Sequence, residues 1–260
     1  MDLGIRDKRA IVCAASKGIG RAAAFSLARE GVDVTLVARS RDELSAAAAE
    51  IASATGTDAD YFVGDLTSAR DREGLVAFRP RADILIASPG VPQRFAEFST
   101  MSREERQWWM EAHYYSMIEL IQAYLPGMVE QRFGRIVNIS VNFIKFPQVN
   151  AGHSHAARLA LAGAIAAVVR EVAPHNVALN SILPGLINTD ALRASLSGRA
   201  KEQGVTYEQV AAGVLKACPT GRMAEPAEVG DLVAMLCSAQ MGFVTGQNIV
   251  SDGGAYQGLF

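Results

Sequence analysis

Cysteine is scarce in this chain of 260 residues. It has three, Cys13, Cys218 and Cys237, at unrelated spacings, and Cys13 falls inside an apolar run. An odd, scattered set argues against a disulfide framework and a zinc site, and suits packed thiols in a reducing compartment. Net charge is small as well, −2 at neutral pH. With no basic run and no interleaved aromatic stripe, no nucleic-acid partner and no membrane-surface partner is expected. No apolar stretch reaches the ~18 residues of a membrane span. The opening residues Asp2, Arg6, Asp7, Lys8 and Arg9 are unlike a secretion signal. A cytoplasmic location without a metal site is therefore expected. Linkers, repeats and low-complexity segments are also missing, so residues 1–260 read as a single domain.

What is present is apolar sequence in short pieces. Half the residues are hydrophobic and 20% are charged, enough for a sizeable core. The organising stretch is Arg9-Ala10-Ile11-Val12-Cys13-Ala14-Ala15-Ser16-Lys17-Gly18-Ile19-Gly20-Arg21. It reads as a buried strand, a glycine-bearing turn and a helix beginning near Ile19. Missing Cβ atoms let backbone N–H groups approach an anion, and a helix N-terminus adds partial positive charge. A second strand, Val32 to Val37, follows directly and completes one βαβ unit.

The alternation continues. Helices are predicted from Arg41 to Ala54 and from Ser68 to Phe78, with strands at Tyr61–Val63 and Asp83–Ala87. A long helical region spans Ser102 to Arg132, then a strand runs from Arg135 to Ser140. A helix from Ala151 to Ala173 carries many small residues and offers a face for a subunit contact. Strands at Val177–Leu183 and Asn248–Ser251 close the series. Apolar runs between helices indicate parallel strands covered on both faces. The predicted class is α/β: a Rossmann-like, doubly wound, seven-stranded parallel sheet. Residues 186–219 depart from the alternation and read as a helical substrate lid.

Together these segments resemble the short-chain dehydrogenase/reductase family, especially members similar to β-ketoacyl carrier-protein reductase. The family's Thr-Gly-x-x-x-Gly-x-Gly turn is matched by Gly18, Ile19 and Gly20, while Cys13 and Ala14 replace the Thr and first Gly. Asp65-Leu66 matches the pair that meets adenine, and Gly90 keeps one residue of the segment after the fourth strand. Asn180, Pro184, Gly185 and Thr189 match the segment at the nicotinamide end, with Ile187 inside it. Asp252-Gly253-Gly254 matches the last strand's exit.

That resemblance implies a nicotinamide cofactor held by Ala14, Ser16, Lys17, Gly18, Ile19, Gly20, Arg39, Ser40, Asp65, Leu66, Gly90, Arg158, Pro184, Gly185, Ile187 and Thr189. Relatives that prefer NAD place a carboxylate at the end of the second strand. Here Ala38 is followed by Arg39-Ser40-Arg41, with Lys17 in the turn. Cations without a carboxylate suit a 2′-phosphate, so NADP(H) is expected over NAD(H). The plainer alternative is that Arg39 and Lys17 are solvated surface charges.

At the catalytic positions the family pattern has changed. Ser140 fits the Ser that polarises the substrate carbonyl. Aligning Leu161-Ala162-Gly163 and Leu125-Pro126 on the family places Ser154 at the Tyr, Arg158 at the Lys and His113 at the Asn. A serine hydroxyl cannot be tuned as a phenol can, and an arginine holds charge without shuttling protons. Positions 154 and 158 share a helix face. His113, His153 and His155 are the candidate proton carriers, against the alternative of buried or solvated structural histidines. Trp108, Trp109, Met110, Met117 and Phe143 are either pocket lining or core. The resemblance thus implies an NADP(H)-dependent oxidoreductase on a small carbonyl or alcohol substrate, assembled as a homotetramer or homodimer. A non-redox lyase, isomerase or dehalogenase-like enzyme is one alternative. A non-catalytic dinucleotide-binding protein is the other.

Overall fold

A computed structural model describes residues 1–91 and 95–259. Seven parallel strands form one sheet in the order β3-β2-β1-β4-β5-β6-β7. They are β1 (Arg9–Cys13), β2 (Asp33–Ala38), β3 (Ala59–Val63), β4 (Ile84–Ala87), β5 (Gly134–Ile139), β6 (Val177–Pro184) and β7 (Asn248–Ser251). Every residue of β4, β5 and β6 is buried, as expected of strands covered on both faces.

Side-chain alternation divides the core in two. Val12, Leu36, Ile86, Val137 and Ile182 face one layer, which holds Leu27, Val229 and Val233. Ile11, Val37, Leu85, Ile136 and Leu179 face the other, with Leu75, Leu120, Tyr124, Leu161 and Ile165. The first layer is made by α1 (Gly18–Arg29), α2 (Arg41–Thr55) and α9 (Pro226–Cys237). The second comes from α3 (Ala69–Phe78), α5 (Ser116–Glu130) and α6 (Gly152–Val172), with α4 (Arg103–Met110) leading into α5. α1 and α9 pack backbone to backbone at Gly230, where a Cβ would stand 2.6 Å from the Ala22 carbonyl oxygen.

The expected helices and strands are present, with ends displaced by a residue or two. The long helix is interrupted: α4 and α5 are joined by one wide π-turn at Glu111–Tyr115. Hydrophobic periodicity does not register one added residue, and such turns gather at functional sites. The departure over 186–219 forms α7 (Asp190–Gln203) and α8 (Tyr207–Leu215). Leu196, Ala200 and Val210 give this pair a small apolar centre of its own, packed by Leu192, Tyr207 and Met223.

The strand order reverses between β1 and β4. Their carboxyl ends therefore open a crevice at the switch point, where this architecture binds ligands.

Candidate active site

The turn from β1 into α1 lines that crevice. Gly18 has φ +59°, and a Cβ on Gly20 would lie 2.3 Å from the Ala14 carbonyl oxygen, so α1 begins hard against the strand it leaves. Across the crevice, a Cβ on Gly90 would come within 3.0 Å of Ala14 Cβ, and one on Gly18 within 3.3 Å of Thr189 Cγ2. Gly90 and Thr189 thus wall the turn. α1 has no side-chain cap, since Lys17 occupies the capping position without making that bond. Free first-turn N–H groups, and backbone walls that side chains would fill, fit a dinucleotide's diphosphate. Ala14 stands where the family has glycine and keeps a glycine-like φ of +54°.

At the end of β2, Ser40 caps α2 by accepting from the Glu43 amide at 3.5 Å. Lys17 Nζ donates to Glu43 Oε1 at 3.2 Å, with both side chains largely exposed. The Lys17 hydrogen bond first, then one from Ser16, holds the Glu43 carboxyl below its ordinary range. Arg39 is exposed and has no ion pair among the described residues. Asp65 Oδ1 accepts from the Thr67 amide at 3.0 Å and from its hydroxyl at 2.9 Å, fixing the loop after β3. Leu66 there is buried. Its carbonyl accepts from Arg72 at 2.7 Å, and Arg72 pairs with Glu111 on the π-turn at 3.0 Å and with Glu119 at 2.6 Å. That tie between the adenine-side loop and the π-turn gave no signal in the sequence.

α6, which carries His153, Ser154, His155 and Arg158, packs on the π-turn that holds His113 and on the short helix in the loop after β5. Ser140 directly follows β5, and its Oγ is buried without a hydrogen-bond partner. Arg158 is 7% exposed and reaches back one turn of α6 to donate from Nε to Ser154 Oγ at 3.1 Å. Burial pushes its guanidinium pKa down to about 10. His113 is 1% exposed, with neither ring nitrogen hydrogen-bonded. Burial first, then the charge on Arg158, drives its pKa down to about 2. His155 Nε2 is likewise buried and unpartnered, and the same two causes lower its pKa.

The aromatic groups divide. Trp109 is buried and touches both His113 and His153, at ring-centroid distances of 5.0 Å and 4.5 Å. Trp108 is 46% exposed and Met117 is core. Phe143 lies 6.2 Å from His155. His175 sits in the turn after α6, at the opposite end of that helix from the site.

Asp252 holds the floor of the site together. Its carboxylate accepts from the amides of Gly254, Ala255 and Tyr256 at 3.0–3.1 Å and from Asn142 Nδ2 at 3.3 Å. Gly185 leaves no room for a side chain here, since its Cβ would stand 2.6 Å from Asp252 Cβ. Ser140 is therefore followed by a loop pinned to the exit of β7. Asn142 had no distinguishing mark in the sequence, though Asp252-Gly253-Gly254 did. Pro184 pairs with Ser251, and Ile187 bridges to Ala224 beside it. Asn180 donates to the Val244 carbonyl at 2.7 Å and accepts from the Gln247 amide at 3.0 Å, a structural tie between β6 and the approach to β7.

A doubly wound parallel sheet with a glycine turn at its switch point and polar groups at its carboxyl edge defines a dinucleotide-binding protein. The family model described as Enoyl-(Acyl carrier protein) reductase matches residues 13–256, and the chain belongs to the short-chain dehydrogenase/reductase family. It is 32% identical to the 3-oxoacyl-(acyl-carrier-protein) reductase FabG of Aquifex aeolicus (strain VF5), over 98% of this chain and 100% of that one. It is 27% identical to the NADPH-dependent reductase BacG of Bacillus subtilis (strain 168), over 97% and 99%. Among solved structures it is similar to L-sorbose reductase from Gluconobacter frateurii complexed with NADPH and L-sorbose. That likeness has a TM-score of 0.93 and 26% identity, over the full length of both chains.

Proposed function

We propose that this chain is an NADP(H)-dependent oxidoreductase that moves a hydride between the nicotinamide and a small carbonyl/alcohol substrate, using an altered catalytic set. One observation carries the reading. An uncapped helix N-terminus in a backbone-walled crevice shares the carboxyl edge of the sheet with a buried, unpartnered Ser140 hydroxyl. The cofactor, when bound, supplies the hydride chemistry.

The chain's own residues do the rest. Ser140 Oγ donates a hydrogen bond to the substrate oxygen. Arg158 stays cationic and favours negative charge building on that oxygen. His155 is neutral at physiological pH, so it accepts the alcohol proton during oxidation and returns it during reduction. Neutral His113 offers one donor and one acceptor, fewer than the family Asn it replaces but enough to anchor a water. Ser154 and His153 complete the altered set. Ser154 is too short to replace a phenol, and its role is to fix the Arg158 guanidinium.

Arg39, Lys17 and Ser40 hold the 2′-phosphate. The exposed Lys17–Glu43 pair is weak enough for a phosphate to compete with. The NADPH named for BacG and for the L-sorbose reductase complex supports this preference. Residues 186–219 act as a lid within a single domain, its base pinned where Ile187 bridges to Ala224. The small-residue face of α6 supports a homodimer or homotetramer. Among the described residues no helix is long and apolar enough to cross a membrane.

The test pairs binding with turnover. NADPH should bind at least tenfold more tightly than NADH, and Arg39→Ala should erase most of that difference. Oxidation of bound NADPH by a panel of ketones, followed in a stopped-flow mixer, should give turnover with at least one. Tight NADPH binding without any turnover would favour a non-redox enzyme or a binding protein, and no binding of either nucleotide would end the reading.

A further inference from the structure

Hydride transfer leaves the missing counter-ion of Arg158 unexplained. The residue is 7% exposed, and among the described residues it has no carboxylate partner. Among the described residues its hydrogen bond is made by Nε, to the uncharged Ser154 hydroxyl. Burial is the one cause that moves its pKa, with no opposing acid nearby. Elsewhere among the described residues the buried arginines are well provided for. Arg72 meets two carboxylates and a carbonyl. Arg135 meets the carbonyls of Ser238, Gly134 and Asn176.

A buried cation without a partner is costly. His113 and His155, whose pKa values the Arg158 charge helps to lower, supply it no negative charge. The nicotinamide half of a dinucleotide cannot supply it either. That half is neutral when reduced and cationic when oxidised, and the phosphates belong at the glycine turn. A neutral ketone or acyl thioester would leave the guanidinium as it is.

Geometry adds a direction. Because Nε is held by Ser154, the two terminal nitrogens remain as a planar pair beside the first turn of α6. That turn has no side-chain cap at Ala151. A planar pair of donors matches the two oxygens of a carboxylate.

Resting on the oxidoreductase reading above, we propose that the substrate is an oxo acid (or the matching hydroxy acid). Its carboxylate is clamped by Arg158 while its carbonyl oxygen meets Ser140. The redox balance is that of any ketone reduction. The carbonyl carbon gains the hydride of NADPH, the oxygen gains a proton, and the carboxylate is unchanged.

Binding can be read without turnover. Protein saturated with NADP⁺ is titrated calorimetrically with short 2-oxo and 3-oxo acids and with the methyl ester of each. At least one acid should bind tenfold or more tightly than its ester. Arg158→Gln should remove the preference and Arg158→Lys should keep part of it, with near-ultraviolet circular dichroism showing that each variant is folded. Should Arg158→Gln fail to fold, Arg158→Lys carries the test through a reduced acid-to-ester ratio. If no acid exceeds its ester by threefold, or if the preference is the same in the Arg158 variants, the proposal is overturned. If NADP⁺ itself does not bind, the oxidoreductase reading fails separately. The same acid and ester pairs titrated on the free protein then decide whether Arg158 is a carboxylate site.

Discussion

The imidazole of His113 lies flat against the indole of Trp109, with ring centroids 5.0 Å apart and planes 4° from parallel. The two residues are one turn apart on either side of the α4–π-turn junction. The stack carries the imidazole into a pocket where both of its nitrogens lack partners. A ring so placed resists protonation, and stability should show it.

The sign follows from proton binding. His113 takes a proton near pH 6.5 in the unfolded chain and near 2 in the folded one. Between those values the unfolded state binds more protons, so stability is lost as pH falls below about 6.5, by about 1.4 kcal/mol per pH unit. His155 is shifted the same way and adds to the slope. Urea unfolding at a series of pH values should show the decline, and His113→Gln should make it shallower by about one histidine's worth. An unchanged slope in the variant would remove His113 as the cause.

Ala14 occupies a left-handed conformation at φ +54°, which costs an alanine about 1–2 kcal/mol that glycine avoids. Ala14→Gly gives part of that back through the greater freedom of the unfolded chain. The variant should be as stable as the parent or up to about 1 kcal/mol more stable. A loss of more than that on denaturant titration would mean that the Ala14 methyl contributes packing at Gly90 that outweighs the strain.

Glu43 holds Lys17 at 3.2 Å beside the proposed 2′-phosphate site. Glu43→Gln removes a competing carboxylate. Affinity for NADPH should rise roughly two- to fivefold, the range an exposed ion pair supports, with little change for NADH. Fluorescence titration at low and high salt checks it, and the gain should shrink as salt rises.

Ser140→Ala removes the hydroxyl proposed to bind the substrate oxygen. Turnover should drop by about 100-fold or more, while the dissociation constant for NADPH stays within about twofold. A matching loss of nucleotide affinity would assign Ser140 to the cofactor cradle instead.

The chain's own order of residues determined the sheet and the crevice. Strands buried on both faces are continuous apolar runs, and a glycine turn between strand and helix is a local event, so each is written within a few neighbouring residues. Gly18, Gly20, Gly185 and Asp252 could be located that way, as could the helical departure over 186–219. Tertiary structure alone decided the rest. The π-turn at Glu111–Tyr115 adds one residue to a helix without disturbing its composition. The clasp of Arg72 on Leu66, Glu111 and Glu119 joins residues up to 53 positions apart. Whether Arg158 would find a carboxylate was equally invisible. Burial and partnering depend on which distant segments arrive at the same place, and that follows from packing the layers, not from the order of residues along one of them.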